Sequence, residues 1–304
     1  MITRSTHWFL DEMESGRITA DSPAVPRGVF LIEPVNFHVS NETAFDNRYM
    51  QVGQSADPDR ALGQYIELVS RIRQAGVPVK TFPGDPRTPD DVFPNNAFAT
   101  IPGRFIVGHM LHPERQQETA RADIHRYFHE LGYQTIDLSQ QDCVAELTGV
   151  LVLDRARRVG FCGMSSRVNQ AGVNAMHKAF GLRCTLQFDL RASEYHTNVV
   201  LSVLASRAAV LHAGAFADSR VPRAIAGLYG GRVLYLDDAE KAAFAGNCIA
   251  LTRYDLFISQ KAADALRQPS RALLESWGFR IHAVQLDEIE KAGGSLRCMV
   301  AEIF

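Results

Sequence analysis

The sequence predicts an α/β protein built as a five-bladed propeller, from five similar units of about 50 residues closed by strands at the two chain ends. Three observations predict it. First, five polar residues stand at the heads of apolar runs, Asn96, Glu146, His196, Asn247 and Cys298, at intervals of 50, 50, 51 and 51 residues. Second, glycine closes an amphipathic stretch at Gly76, Gly132, Gly181, Gly231 and Gly278, at intervals of 56, 49, 50 and 47 residues. A helix commonly ends on a residue of positive φ, which costs glycine least. Third, a run of strand character follows each glycine, at Val77–Phe82, Tyr133–Leu138, Arg183–Leu190, Arg232–Leu236 and Arg280–Leu286. A repeat of this period points to an array with irregular end units.

In chain order, Gly28-Val-Phe-Leu-Ile-Glu-Pro34 reads as a strand. It supplies the strand that the fifth unit lacks because the chain stops at Phe304, and the expected pairing closes the ring without an exposed edge. Asn36–Arg60 shows little periodicity and is long for a connection, so it reads as a lid or binding loop. The amphipathic run Leu68–Gly76 is the first helix end, and Pro83–Pro94 is a second irregular connection rich in proline and aspartate. Hairpins are expected at Val150–Gly163, turning at Asp154–Arg158, and at Val199–Leu211, turning at Ala205–Arg207. These antiparallel hairpins, and the lack of a G-x-G-x-x-G phosphate loop, speak against a doubly wound sheet. No linker divides the chain, so residues 1–304 are expected to form one domain.

Composition narrows the functions. With 46% apolar and 22% charged residues and a net charge of −2, the chain has the balance of a globular protein and no basic field for nucleic acid or anionic membranes. No apolar run approaches the roughly 18 residues of a membrane span. Acidic residues arrive too early at the N-terminus for a signal peptide. Five scattered cysteines without a CxxC make neither a disulfide framework nor a zinc site and point to reduced thiols in the cytoplasm. His125 and His129 lack the glutamate of a zinc-protease helix, and His109 and His112 bracket a turn, so no metal is expected.

The recurring positions carry the chemistry. Cys298, after the flexible Gly293-Gly294, is the candidate nucleophile, and a thiol needs an imidazole or positive field to act as one. His196 holds the same phase two units earlier. Glu146, in phase with both, is placed to orient His196 or to hold an N–H group of the substrate. Asn96 and Asn247 offer donor and acceptor without charge. Asn198, two residues after His196 on an expected strand, should share its face.

Together these residues resemble the pentein superfamily of guanidino-group-modifying enzymes, whose members include arginine deiminases, amidinotransferases and dimethylarginine hydrolases. The resemblance rests on Gly-Gly-x-x-x-Cys at Gly293–Cys298, His-x-Asn at His196–Asn198, Glu146 followed by Thr148-Gly149, and Gly163–Gly172. Phe93-Pro94-Asn95-Asn96 resembles the signature of the amidinotransferase-like, citrulline-utilisation hydrolase branch. By that resemblance Cys298 attacks the central carbon of a guanidino or ureido group, while His196 protonates the leaving amine and then activates water. The resemblance also implies that Arg167 grips a substrate carboxylate. Arg167, the loop that begins at Asn36, and Asp91 would shape the pocket for the substrate tail.

Two departures from the family pattern bear on specificity. The deiminase branch has aspartates where this chain has Asn96 and Asn198. Amides there should favour a neutral ureido group over a cationic guanidinium, since an unpaired buried cation is costly. Leu147 stands where relatives usually have glycine. The expectation is therefore a cysteine hydrolase of a citrulline-type amino acid, needing no cofactor and acting as a monomer or as a homo-oligomer. Deiminase or amidinotransferase chemistry on a guanidino compound, and a non-catalytic binding propeller, are the alternatives.

Overall fold

A computed structural model describes all residues, Met1–Phe304. Its strands fall into five separate small sheets. Each has the same plan: a first strand antiparallel to a second, and the second parallel to a third. In chain order from the N-terminal strand, the second and third strands are Gly28–Ile32 with Val79–Phe82, Arg104–Val107 with Gln134–Asp137, Val159–Met164 with Cys184–Asp189, Ala208–Leu211 with Val233–Tyr235, and Asp255–Ser259 with Arg280–Val284. The corresponding first strands are Ala301–Ile303, Phe98–Ile101, Leu151–Asp154, Leu201–Leu204 and Ile249–Ala250. The strand from the C-terminus thus completes the sheet of Gly28–Ile32, in the register Ala301 to Phe30 and Ile303 to Gly28.

A helix separates the second strand from the third in every unit, and its making is local. In Pro58–Gln74 the Asp57 carboxylate accepts from the Asp59 and Arg60 amides, and proline opens the first turn. Ala61, Tyr65, Leu68 and Ile72 then form one buried face. The five predicted glycines all take positive φ, from 60° at Gly181 to 83° at Gly231 and Gly278. Buried apolar side chains gather in five clusters, and Cys298 belongs to the largest.

Two expectations need correction. No sheet closes on itself, so edges do remain: each sheet ends on a third strand, and Ile2–Thr3 extends one of them by pairing in parallel with Cys184–Asp189. Four of the five marked residues also do not open their hairpins directly. A single helical turn comes first, at Pro94–Asn96, Leu147–Val150, Thr197–Val199 and Leu296–Met299, whereas Asn247 leads straight into Ile249–Ala250. First strands of neighbouring sheets lie side by side, Ala301–Ile303 with Phe98–Ile101 and Leu201–Leu204 with both Leu151–Asp154 and Ile249–Ala250. That packing brings the one-turn helices together.

Candidate active site

Cys298 is 1% exposed and sits in its one-turn helix, where its amide donates to the Ser295 carbonyl at 3.0 Å. Two amides flank the sulfur. Asn247 Nδ2 donates to Sγ at 3.3 Å and to the Asn198 carbonyl at 2.9 Å, and the thiol reaches Asn198 Oδ1 at 3.8 Å. Burial pushes the thiol above its ordinary pKa, against the smaller pull of Asn247. The resting group is therefore the neutral thiol, and its activation must await a partner or a ligand.

His196 is wholly buried, its ring 4.3 Å from that of Tyr195. Its Nε2 lies 2.8 Å from Glu146 Oε2. An ionised carboxylate only accepts, so Nε2 carries the proton and Nδ1 is the free base. Nδ1 is buried without a partner, and so is Asn96 Oδ1 beside it. Both crowd the same point: a Cβ on Gly149 would meet Asn96 Oδ1 at 2.7 Å and His196 Nδ1 at 2.9 Å. Burial lowers the imidazole pKa and outweighs the pull of Glu146.

Glu146 is fully buried and collects cations. Arg167 Nη1 donates to both of its oxygens at 3.2 Å, Arg115 Nη1 lies 3.9 Å away, and the Leu111 amide donates at 3.2 Å. Burial alone would raise its pKa, but Arg167, His196 and Arg115 together hold it far below the carboxylate range. The adjacent Leu147 has φ +22°, a region glycine occupies more cheaply. That is the physical content of its departure from the family pattern.

A small enclosed cavity holds Cys298, Asn96, Tyr195, Asp90, Arg115 and Arg167 among its walls, with Thr43 and Asn47 from the long loop. Of the residues the sequence singles out, Cys298 and Asn96 line this cavity; Asn247 and Asn198 touch the sulfur, and Glu146 and Asn96 adjoin His196. Asn198 reaches its place from a helical turn and not from an alternating strand. Asn95 is buried with both amide atoms unpartnered, but it is not part of the cavity wall.

Three sequence expectations need revision. Arg167 faces the cavity, but its fork is already filled: Nε and Nη2 donate to Asp46 at 2.8 and 2.6 Å, and Nη1 to Glu146. Asp91 points away from the cavity and binds Arg121, the Asp85 amide and Thr88, bracing its own loop. Asn36 is an exposed turn residue of φ +49° whose carbonyl meets His38.

Sequence reasoning missed Asp90, Asp46 and Arg115. Asp90 Oδ2 accepts from Thr43 Oγ1 at 2.7 Å, while its buried Oδ1 has no partner. Arg115 is anchored by Glu118 at 3.0 and 2.9 Å and caps the Asp90 and Phe93 carbonyls. Phase could not have found these residues, because all three lie outside the recurring positions.

Residues 33–304 match the family model "N,N dimethylarginine dimethylhydrolase, eukaryotic". An uncharacterised protein of Caenorhabditis elegans is 24% identical over 302 residues, 97% of this chain and 100% of the relative. The bifunctional arginine dihydrolase/ornithine cyclodeaminase AgrE of Nostoc is 26% identical over 246 residues, 81% of this chain but 33% of that longer protein. Among solved structures, the N-terminal domain of ArgZ, a cyanobacterial arginine dihydrolase, superposes with a TM-score of 0.78 at 21% identity, covering 90% of this chain and 97% of that one. A dimethylarginine dimethylaminohydrolase adduct superposes with a TM-score of 0.71 at 16% identity, covering 91% and 100%. With that model spanning most of its length, the chain belongs to the N,N dimethylarginine dimethylhydrolase family.

Proposed function

We propose that the chain is a cysteine-dependent hydrolase of guanidino- or ureido-bearing amino acids, with a citrulline-type substrate preferred. One observation carries the preference: the groups touching the sulfur are amides, Asn247 and Asn198, and a third amide, Asn96, lies beside His196. Unpartnered amide atoms on Asn96, Asn198 and Asn247 can bind the C=O and NH2 of a neutral ureido group without requiring a buried cation. Asp90, next to Thr43 at the loop side of the cavity, suits the substrate's α-ammonium. The second reading, a cationic guanidino substrate, draws on the same free Asp90 oxygen and on the arginine and dimethylarginine hydrolases among similar proteins.

In the proposed reaction Sγ bonds to the ureido carbon as the thiol proton passes to His196 Nδ1. The C–N bond to the side-chain amine breaks as the imidazolium returns that proton to the leaving nitrogen. Water then attacks the S-carbamoyl carbon as His196 takes its proton, the C–S bond breaks, and the imidazolium returns the proton to sulfur, freeing the thiol and carbamic acid. Glu146 stabilises the imidazolium throughout. We propose this chemistry for a single-domain, five-bladed propeller acting in the cytoplasm without a cofactor, on a small molecule, as a monomer or as a homo-oligomer; no helix is long and apolar enough to cross a membrane.

Ornithine and ammonia release from L-citrulline, beside the consumption of L-arginine and of N,N-dimethyl-L-arginine, tests the proposal. Turnover of L-citrulline with a kcat/KM well above the other two is expected, and Cys298→Ala should abolish it. Preference for a guanidino substrate would keep the mechanism and discard the argument from the amides.

A further inference from the structure

One buried carboxyl group takes no part in that reaction. Glu290 stands in the turn Ile289–Lys291, just ahead of Gly293-Gly294, and has no exposure. A charge in such a place is costly unless something answers it. Its Oε1 accepts from Ser295 Oγ at 2.7 Å, but its buried Oε2 has no hydrogen-bond partner. Lys261 Nζ stays 3.9 Å from that oxygen and is half exposed, so it answers the charge only weakly. Burial accordingly raises the carboxyl pKa.

What Glu290 holds is the segment that carries Cys298. Its carbonyl accepts the Gly293 amide at 3.0 Å and its carboxyl accepts the Ser295 hydroxyl, so one residue grips the run Gly293–Ser295 at both ends. Ser295 precedes the one-turn helix Leu296–Met299, a place where a serine hydroxyl usually caps the first free amides. Here it makes no such bond and turns back to Glu290. The Ser295 carbonyl, meanwhile, accepts the Cys298 amide at 3.0 Å. The two glycines before Ser295 bring no side chain to hold the turn, and Gly293 has φ +75°. Tyr195 Oη donates to the Gly293 carbonyl at 2.7 Å, but only Glu290 bonds the Ser295 hydroxyl. Ser295 thus passes the hold of Glu290 to the backbone of Cys298.

We propose that Glu290 is a positioning residue: bonded to Ser295, it fixes the turn from which Cys298 Sγ meets Asn247 and Asn198. This rests on the reading of Cys298 as the nucleophile. The sulfur lies 3.3 Å from Asn247 Nδ2 and 3.8 Å from Asn198 Oδ1. Such placement has little tolerance, since a displacement of about 1 Å can cost about a hundredfold in rate. Without the bond between Glu290 and Ser295 the turn opens more often, and a buried thiol is reachable only in the open form.

The test pairs hydrolysis of L-citrulline with labelling of the thiols by iodoacetamide, read by mass spectrometry. Cys298 is 1% exposed and Cys162, in the strand Val159–Met164, is wholly buried. A loss of global stability therefore speeds the labelling of both, while a loosened turn speeds that of Cys298 alone. In Ser295→Ala and Glu290→Leu the Cys298-to-Cys162 labelling ratio should rise about tenfold. In both, kcat should fall about a hundredfold at nearly unchanged KM. The double variant should fall no further than either alone. Glu290→Gln keeps the acceptor for Ser295, and its amide nitrogen replaces an oxygen with no donor to lose, so it should stay within about threefold of the parent on both readouts. An unchanged ratio or a parental kcat in Ser295→Ala overturns the proposal, and so does a Glu290→Gln variant as loose as Glu290→Leu. If the parent hydrolyses none of the substrates offered, the hydrolase reading fails and the labelling ratio still decides the role of Glu290.

Discussion

Replacing Glu146 by glutamine is expected to lower kcat by at least about a hundredfold and stability by about 3–5 kcal/mol. The side chain has no exposure, and it answers Arg167, His196 and the more distant Arg115 at once. Glutamine keeps the shape but turns one acceptor into a donor that must face a guanidinium or the Nε2–H of His196. The imidazole then loses the partner that fixes its tautomer, and the imidazolium formed during reaction loses its counter-ion. The effect on stability has a definite pH dependence. The folded pKa of Glu146 is depressed below its ordinary value of 4.5, so its contribution is complete above that value. It declines as pH falls toward the folded pKa, because the unfolded chain takes up the proton first. Denaturant melts of the parent and Glu146→Gln should therefore differ fully at pH 7 and differ less at pH 3.5. A variant with parental kcat would remove Glu146 from the mechanism.

The same residue shows what a single sequence makes legible. Glu146, His196 and Cys298 are ordinary residues taken one at a time, and they stand out only because five units repeat. The repeat is visible because helix ends require positive φ and therefore glycine, and because each first strand is apolar. Such local constraints leave a mark at a fixed phase. The one-turn helices leave no comparable mark: Leu147–Val150 and Thr197–Val199 are too short to declare a period, and they read as the beginnings of strands. Asp90 illustrates the limit within an irregular loop. In the tight turn Pro89–Val92, neighbouring side chains point in different directions, so Asp90 enters the cavity while Asp91 braces Arg121. The sequence offers Arg167 as a cation for the pocket but not the identity of its partner, because Asp46 lies 121 residues away and nothing local announces the pairing.

Exchanging Gly149 for alanine is expected to cut kcat by about a hundredfold with a loss of stability of only about 1–3 kcal/mol. The backbone there is not left-handed, and in a helical turn alanine is intrinsically better than glycine by about 1 kcal/mol. The objection to alanine is therefore purely one of space. Its Cβ would stand 2.7 Å from Asn96 Oδ1, 2.8 Å from His196 Cε1 and 2.9 Å from Nδ1. None of these neighbours is the loose end of a flexible chain. The imidazole is tied to Glu146 on one side and covered by Tyr195 on the other, and Asn96 closes its own turn. The ring must shift, carrying Nδ1 away from the position from which it takes the thiol proton, while its contact with Glu146 lengthens. Gly63 supplies the matched control. It too is helical, but a Cβ there meets nothing within 4 Å, so Gly63→Ala should leave kcat unchanged and raise stability by about 1 kcal/mol. Parental kcat in Gly149→Ala would mean that the imidazole tolerates displacement, and the base would then have to be sought elsewhere. A large fall in kcat in Gly149→Ala alone would show that contact at one Cβ position, and not the Gly-to-Ala exchange itself, disables the imidazole.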